Sequence, residues 1–206
     1  MNDSNTDDAE REWLGIRERF AALPVANVGD SMDRLGVVDA GIGATWRGAR
    51  LTARARTLEV AGGDNKGIHE SIADVRPGEV LVVNGHGVRD RALIGELIAH
   101  RLINAECAGM VIDGAVRDIE DLEAERFPVF ARASSPAGPY KNGPWRKQVP
   151  VAIGGVVVSP GDIVLGDSDG VAVVPWAEAR EVLERAERKH ADEEAARART
   201  VAQRGS

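Results

Sequence analysis

The alternation of short apolar runs with amphipathic segments between residues 57 and 132 most strongly constrains the fold of this chain. The apolar runs have the length and β-branched content of buried strands, and they read "TLEVA", "EVLVVNG", "GMVIDG" and "PVFAR". The segments between them have helical spacing, and they cover residues 66–75, 90–109 and 117–127. Strands that alternate with helices form a sheet with parallel pairs. The sequence therefore predicts a single-domain α/β fold with a parallel β–α–β core.

Further elements are predicted on both sides of this core. A helix is expected over residues 9–22, and a second, short helix from Val28 to Leu35. Residues 134–149 contain three prolines and two glycines, so they are predicted to form a long loop. Residues 150–175 read as three short strands joined by turns. These strands predict a β-rich C-terminal cap on a mixed α/β/β sandwich.

The two ends of the chain are predicted to lie outside the compact domain. Residues 1–8 are polar and are expected to be disordered. Residues 176–200 read as one charged helix whose apolar positions thin out after Leu183. We therefore expect a domain over residues 9–186 and a helical tail over residues 187–206 that docks on a neighbouring subunit.

Composition argues against several classes of function. The formal net charge of the 206 residues is -7, whereas a nucleic-acid surface needs clustered Lys and Arg. No apolar run approaches the roughly 18 residues that span a membrane, and the acidic N-terminus lacks the apolar core of a signal peptide. Cys107 is the one cysteine, which excludes an intrachain disulfide and fits a reducing compartment. We expect a cytoplasmic protein with neither a nucleic-acid nor a membrane partner.

Common catalytic motifs are missing from the sequence. It contains no phosphate-binding loop of the G-x-x-x-x-G-K type, no H-E-x-x-H zinc motif and no G-x-S-x-G nucleophile elbow. The histidines are scattered along the chain, and each is interpreted as a surface or structural residue rather than a zinc ligand. They are His69, His86, His100 and His190.

Arg117 and Asp118 follow the predicted strand "GMVIDG", where a helix should begin. Asp121 would share a helix face with Asp118, and twenty residues separate Glu96 from Arg117. One interpretation is structural: Asp118 caps the helix, Asp121 is solvated and Arg117 pairs with either carboxylate. The other interpretation is a site for a charged substrate and a metal. Spacing alone favours neither.

Three features favour the functional interpretation. Open α/β sheets bind ligands beyond the carboxyl ends of their strands, where Arg117 and Asp118 are predicted to lie. Gly85, Gly87 and Gly95 flank the exit of the neighbouring strand, and glycine lets a ligand approach backbone N–H groups. Carboxylates with water suit Mg²⁺ or Mn²⁺, and a guanidinium suits a carboxylate or an enolate.

The strings "GDN", "GEL", "GMVIDGAVRDIEDL", "FPVFAR" and "VPVAIGGVVVSPGDIVLGDSDGVAVVP" together resemble the family of 4-hydroxy-4-methyl-2-oxoglutarate aldolases and regulators of ribonuclease E activity. The resemblance covers roughly residues 25–185, most of the chain. It implies a class II, divalent-metal-dependent pyruvate aldolase, a lyase that uses Mg²⁺ or Mn²⁺ to stabilise an enolate. It also implies oxaloacetate decarboxylase activity, because both reactions pass through the pyruvate enolate.

The resemblance implies a role for each residue of the acidic–basic set. Asp118 would bind the metal directly, whereas Glu96 and Asp121 would act on it through water. Arg117 would hold the keto oxygen and the carboxylate of a small 2-oxo acid substrate and would stabilise the enolate. Family members that act only as ribonuclease regulators tend to lack the acidic residue that stands here as Glu96, so its presence favours catalysis.

The resemblance places a helix start near Gly95, whereas helical spacing alone predicts a start near Asp90. The backbone N–H groups of Gly95, Glu96, Leu97 and Ile98 would there hold the substrate carboxylate. A glycine in the middle of a helix costs up to about 1 kcal/mol relative to alanine, which favours a break at Gly95.

A homo-oligomer, either a trimer or a hexamer, is also implied. Glu193 or Glu194 of a neighbouring subunit would complete the site of each chain. The basic and aromatic segment 140–148 either shapes the carbonyl side of the substrate pocket or is a solvated loop.

Two other classes of function stay open at the level of sequence. One is a non-catalytic binding regulator of a ribonuclease or helicase that acts through an acidic surface. The other is a different enzyme on the same scaffold, such as a methyltransferase or a decarboxylase of oxaloacetate alone. The sequence contains no glycine-rich cofactor turn that would support a methyltransferase.

Overall fold

The computed structural model describes residues 3–205 and confirms the α/β class. Met1, Asn2 and Ser206 lie outside the described residues. The α-helices are α1 (Asp3–Ala21), α2 (Val25–Ser31), α3 (Lys66–Ser71), α4 (Glu96–Asn104), α5 (Ile119–Ala124) and α6 (Ala179–Ala202). The strands are β1 (Gly43–Ala44), β2 (Leu51–Val60), β3 (Glu79–Ile94), β4 (Gly109–Val116), β5 (Val129–Ser134), β6 (Trp145–Lys147), β7 (Val151–Ile153), β8 (Val156–Val158), β9 (Ile163–Asp167) and β10 (Gly170–Val174).

A mixed sheet of eight strands forms the centre of the molecule. Its order is β1-β5-β4-β3-β2-β9-β10, and β6 also pairs with β2. The four central strands β2, β3, β4 and β5 run parallel, as the alternation predicts. β9 and β10 continue the sheet antiparallel to β2, whereas β7 and β8 form a separate ribbon. The C-terminal part thus has four strands instead of the predicted three, and two of them extend the sheet.

Alternate side chains of the parallel strands pack on opposite faces of the sheet. Leu81 and Val83 of β3 join a core that also contains apolar residues of α3, α4 and α5. Val80 and Val82 join the core beneath the β7–β8 ribbon. A third apolar cluster packs α1, α2 and α6 against β9 and β10. Because β3 and β4 are parallel neighbours, their carboxyl ends lie side by side at one end of the sheet.

The helix predicted over residues 90–109 is wrong in its first part. β3 continues to Ile94 and α4 begins after Gly95, as the family resemblance implied. The Ala92 N–H donates to the Ala137 carbonyl (2.8 Å), and β3 stays paired with β4 through an irregular register. These tertiary pairings outweigh the helical spacing of apolar residues in this segment.

The helix predicted from Val28 to Leu35 is wrong at both ends, because α2 spans Val25–Ser31. Asp33 and Arg34 have φ angles of 53° and 68°, which a right-handed helix cannot continue through. Residues 134–149, predicted as a loop, contain the short strand β6, which pairs with β2.

The helix α6 lies against its own chain over the first part of the predicted tail. Arg19 of α1 donates to both carboxylate oxygens of Glu187 (2.8 and 2.6 Å), and the Lys189 ammonium lies 3.2 Å from a carboxylate oxygen of Asp30. Docking of the tail on a neighbouring subunit stays a prediction. Across residues 3–205, no helix is both long and apolar enough to cross a membrane.

Candidate active site

Arg117 and Asp118 connect the carboxyl end of β4 to α5. Asp118 has a φ of 57°, in the left-handed region that few residues other than glycine adopt. The Arg117 N–H donates to the Ile94 carbonyl (3.0 Å), which ties the end of β4 to the end of β3. The turn leaves the two side chains 44% and 35% exposed, so both are open to a ligand.

The Asp118 side chain makes no capping hydrogen bond to α5, so this part of the structural interpretation is wrong. Its Oδ2 accepts a hydrogen bond from the Glu96 N–H (3.0 Å) and lies 3.5 Å from Arg117 Nε. Within the described residues, both contacts use the same carboxylate oxygen. The geometry thus orients the carboxylate and leaves Oδ1 for a ligand.

Gly95 allows this close approach between the ends of two strands. A Cβ at this position would lie 2.1 Å from Asp118 Oδ2 and 3.0 Å from Arg117 Cγ. No side chain fits there without displacing the Asp118 carboxylate. The glycine is therefore required by the packing of the site, whereas Gly85 and Gly87 lie further back along β3.

A cavity of about 130 Å³ lies beside Arg117 and Asp118. Of the residues predicted to bind substrate, Gly95, Leu97 and Ile98 line it. The remaining wall residues are Asn65, His69, Ala92, Leu93, Ile94, Pro139 and Lys141. The predicted metal-site residues Glu96 and Asp121 do not line this cavity; they lie at the first turns of α4 and α5.

A second, more open cavity of about 330 Å³ lies against the same pair. It is bounded by Arg117, Asp118 and Ile119, and by residues 134–136 at the end of β5. Arg117 and Asp118 therefore border both cavities. This position lets the pair contact a ligand that extends from one cavity into the other.

Some of the backbone N–H groups at the start of α4 that were predicted to bind the substrate carboxylate donate to groups within the chain. The Glu96 N–H donates to Asp118, and the Ile98 N–H donates to the Gly95 carbonyl (3.2 Å). Binding of the substrate carboxylate here stays a prediction, and it would use chiefly the backbone N–H groups of Gly95 and Leu97.

The segment after β5 holds Lys141 at the cavity. The backbone N–H groups of Asn142 and Gly143 donate to Asp64 Oδ2 (2.6 and 3.1 Å), and the Arg91 guanidinium stacks over the Tyr140 ring at 4.2 Å. Burial acts to raise the pKa of Asp64, but the backbone hydrogen bonds outweigh it and the pKa is lowered. The carboxylate is thus ionised and anchors the segment, which favours the pocket-shaping interpretation of residues 140–148.

Sequence reasoning missed three polar residues of the cavity wall, Asn65, His69 and Lys141. Asn65 Nδ2 donates to the Leu93 carbonyl (2.9 Å), while its buried Oδ1 has no hydrogen-bond partner among the described residues. Asn65 belongs to the string "GDN" that supported the family resemblance, which was the available signal. His69 and Lys141 carry no such signal, because only the tertiary fold brings them to Arg117.

A second charged cluster, missed from the sequence, lies further back along β4. Arg132 of β5 donates to both carboxylate oxygens of Asp113 (2.5 and 3.2 Å), and the Gly154 N–H also donates to Asp113 (2.9 Å). Burial acts to raise the pKa of Asp113, but these hydrogen bonds outweigh it and the pKa is lowered. The cluster joins the sheet to the β7–β8 ribbon.

Carboxylates at the candidate site suit a metal held mainly by water and substrate. Among the described residues, no three His, Cys, Asp or Glu side chains come together as a metal cluster. Mg²⁺ typically keeps several waters and binds one or two protein carboxylates. The exposed Asp118 fits such an ion as a single direct ligand.

The tail carboxylates contact their own chain. Glu193 accepts a hydrogen bond from Asn27 Nδ2 (2.7 Å), and Glu194 pairs with Arg197. Their predicted contribution to the site of a neighbouring subunit stays a prediction.

Comparisons with known proteins agree with this architecture. The family model described as "RraA-like: Aldolase/RraA" matches residues 25–173. A relative from Halalkalibacterium halodurans is 35% identical over 177 residues, which cover 86% of this chain and 84% of the relative, and it is named provisionally as a 4-hydroxy-4-methyl-2-oxoglutarate aldolase.

Two solved structures share the fold. An unusual member of the RNase ES inhibitor RraA family from Streptomyces coelicolor superposes with a TM-score of 0.81 and 28% identity, covering 90% of this chain and 98% of that one. The RNA-processing inhibitor RraA from Thermus thermophilus superposes with a TM-score of 0.67 and 31% identity, covering 74% and 92%. By sequence and by fold, the chain belongs to the RraA-like family of aldolases and RraA proteins.

Proposed function

We propose that this protein is a class II aldolase that cleaves a 4-hydroxy-2-oxo acid, such as 4-hydroxy-4-methyl-2-oxoglutarate, to pyruvate and a second carbonyl compound. Decarboxylation of oxaloacetate is proposed as a side activity. The observation that carries the proposal is the exposed Arg117–Asp118 pair, held between two cavities by the Glu96 N–H and the side-chain-free Gly95. A pair with only a structural role would not need this opening on both sides.

Cleavage of the carbon–carbon bond leaves its electron pair next to a carbonyl, and that charge must move onto oxygen. Arg117 places a fixed positive charge beside the cavity, where it stabilises the developing oxyanion. Because a guanidinium can donate two parallel hydrogen bonds, it also orients the 2-oxo acid group. Arg117 thus binds the part of the substrate that becomes pyruvate.

Asp118 would hold the divalent ion, with Glu96 and Asp121 acting through water. When bound, the ion would polarise the 2-oxo group as a Lewis acid. Glu96 is the proposed acceptor, through a water molecule, of the C4 hydroxyl proton that must leave as the second carbonyl forms. Glu96 is the first residue of α4, and its backbone N–H donates to the Asp118 carboxylate.

Lys141 gives the cavity a second cation. The substrate named above carries a carboxylate at each end, and Arg117 can engage only one of them. Lys141, in the segment after β5 but on the same cavity wall, is suited to pair with the other. This arrangement favours a dicarboxylic substrate over a monocarboxylic one.

The proposal is tested by pyruvate release coupled to lactate dehydrogenase. The wild-type protein is assayed with 4-hydroxy-4-methyl-2-oxoglutarate and with oxaloacetate, in Mg²⁺, in Mn²⁺ and in EDTA. We expect release that EDTA abolishes, and we expect Asp118→Ala to remove the response to metal. Absence of release from both substrates in folded protein would contradict the proposal.

A binding regulator of an RNA-processing enzyme is the competing function. Its support is the likeness to an RNA-processing inhibitor and the net charge of -7. The same protein sample would be added to a ribonuclease assay with and without EDTA. Inhibition without any pyruvate release would favour this alternative.

A further inference from the structure

His69 and Arg101 form a contact behind the wall of the 130 Å³ cavity. His69, in α3, lines the cavity beside Arg117 and Asp118. Its Nδ1 lies 2.7 Å from an Nη atom of Arg101, which belongs to α4. The contact thus reaches from the cavity wall to a residue outside it.

The chemistry of the two side chains decides which ring nitrogen carries the proton. A guanidinium has only N–H donors, and it stays protonated at all ordinary pH values. The Nδ1 atom of His69 must therefore accept, so its lone pair points at Arg101. A neutral imidazole with Nδ1 as acceptor carries its hydrogen on Nε2.

Burial and the charges around His69 also favour its neutral form. Burial lowers the pKa of His69, and the positive charges of Lys141 and Arg101 lower it further against the smaller effect of Glu70. Arg117 and Asp118, of opposite charge, also border the cavity that His69 lines. Cations thus reach the imidazole from α4 and from the segment after β5, while Glu70 lies on its own helix.

We propose that Arg101 is a positioning residue that keeps His69 neutral, with its Nε2–H available as a hydrogen-bond donor at the cavity. The role of that donor in holding a substrate oxygen rests on the proposed function. In this state neither ring nitrogen has a free lone pair, so His69 does not act as the general base. The C4 hydroxyl proton therefore has to leave by another group, in agreement with the position of Glu96.

Nitrogen NMR tests the proposal directly. Long-range ¹H–¹⁵N spectra of the 206-residue chain with Mg²⁺ separate the two neutral tautomers and the protonated ring. The chain has four histidines, so His69→Gln assigns the signal by its loss. We expect the Nε2–H tautomer for His69 in wild-type protein. The Nδ1–H tautomer, or a doubly protonated ring at neutral pH, would overturn the proposal.

Substitution of Arg101 tests whether this residue keeps His69 in the neutral Nε2–H form. Arg101→Met removes the donors, so the pKa of His69 should rise and both tautomers should appear. Arg101→Lys restores a donor and should recover part of the wild-type spectrum, while Arg199→Met on the exposed part of α6 should change nothing. An unchanged His69 titration in folded Arg101→Met protein would overturn the role of Arg101.

Kinetics supply a readout that a purely structural role would not move. In Arg101→Met protein, protonation of His69 should lower the KM for the anionic substrate as the pH falls. The expected change is roughly threefold to tenfold, the size for a hydrogen bond that becomes charge-assisted. Wild-type KM should lack this change, and equal pH profiles for both proteins would contradict the inference. Absent pyruvate release in wild-type protein would contradict the proposed function, and the NMR result would still decide the state of His69.

Discussion

Two carboxylate–guanidinium pairs differ in exposure and in hydrogen bonding, although their aspartates lie only five residues apart. Asp113 belongs to β4, and Asp118 follows the end of that strand. Asp113 and Arg132 are only 12% and 14% exposed, and two hydrogen bonds join them. Asp118 and Arg117 are 35% and 44% exposed, and a single 3.5 Å contact joins them. The first pair satisfies its own charges, whereas the second keeps hydrogen-bonding capacity for a ligand. Similar residue types thus hold the fold together in one place and, as we propose, bind a ligand in the other.

The largest expected effect separates the exposed pair from the buried one by activity. Arg117→Ala removes the charge that we propose stabilises the oxyanion, so kcat should fall by about 10²–10³-fold, as for the loss of one oxyanion donor. The free energy of unfolding should change by less than about 0.5 kcal/mol, as for an exposed site. Steady-state kinetics and urea unfolding measure the two quantities, with Arg188→Ala on α6 as the matched control. Near-wild-type turnover would remove Arg117 from the mechanism.

A substitution in the buried pair should instead lower the stability of the fold. Arg132→Met leaves the buried Asp113 carboxylate with the Gly154 N–H as its remaining hydrogen bond. Loss of one partner of a buried pair costs about 3 kcal/mol, so the midpoint of urea unfolding should fall clearly. An unchanged midpoint would show that the pair contributes nothing to cohesion.

Gly95→Ala sharpens the comparison because it changes neither charge of the exposed pair. The added Cβ would meet Asp118 Oδ2 at 2.1 Å, so the carboxylate must move and its hydrogen bond to Glu96 must lengthen. Misplacement of a site group by about 1 Å can cost 10²-fold in rate, and we expect a loss of roughly that size. Gly43→Ala, where a Cβ would meet no atom within 4 Å, controls for changes in chain flexibility. Equal activity of both variants would contradict the required close approach.

The smallest expected effect is the dependence of the buried pair on pH. The pKa of Asp113 is lowered in the folded protein, so its stabilisation is complete above the unfolded value of about 4. That contribution is lost as the pH falls through the lower, folded pKa. The stability gap between wild type and Asp113→Asn should therefore narrow in acid, with Asp192→Asn as an exposed control. A gap that stays constant from pH 7 to pH 3 would contradict the assignment.

Much of the sheet and part of the site follow from the sequence. The parallel core is predictable because the apolar runs and amphipathic segments alternate with different periods. Arg117 and Asp118 are predictable because they follow a buried strand at the edge where α/β sheets bind ligands. The extension of β3 to Ile94 is not predictable from the sequence, because its backbone hydrogen bonds are made by irregular pairing with β4 and with Ala137.

The missed residues depend on contacts between distant parts of the chain. His69 and Lys141 reach the cavity of Arg117 from α3 and from the segment after β5. The link between Asp113 and Arg132 crosses from β4 to β5, and the Gly154 N–H comes from the turn between β7 and β8. No local sequence pattern predicts these long-range contacts, so the residues can be identified only from the folded structure.

We propose that the exposed pair performs chemistry while the buried pair holds the fold together. It is tested most directly by measuring both pyruvate release and urea unfolding on Arg117→Ala and Arg132→Met proteins prepared in parallel. We expect Arg117→Ala to lose turnover at unchanged stability, and Arg132→Met to lose stability but to release pyruvate under conditions where it is folded. The reverse pattern, or loss of turnover in both folded variants to the same degree, would contradict it.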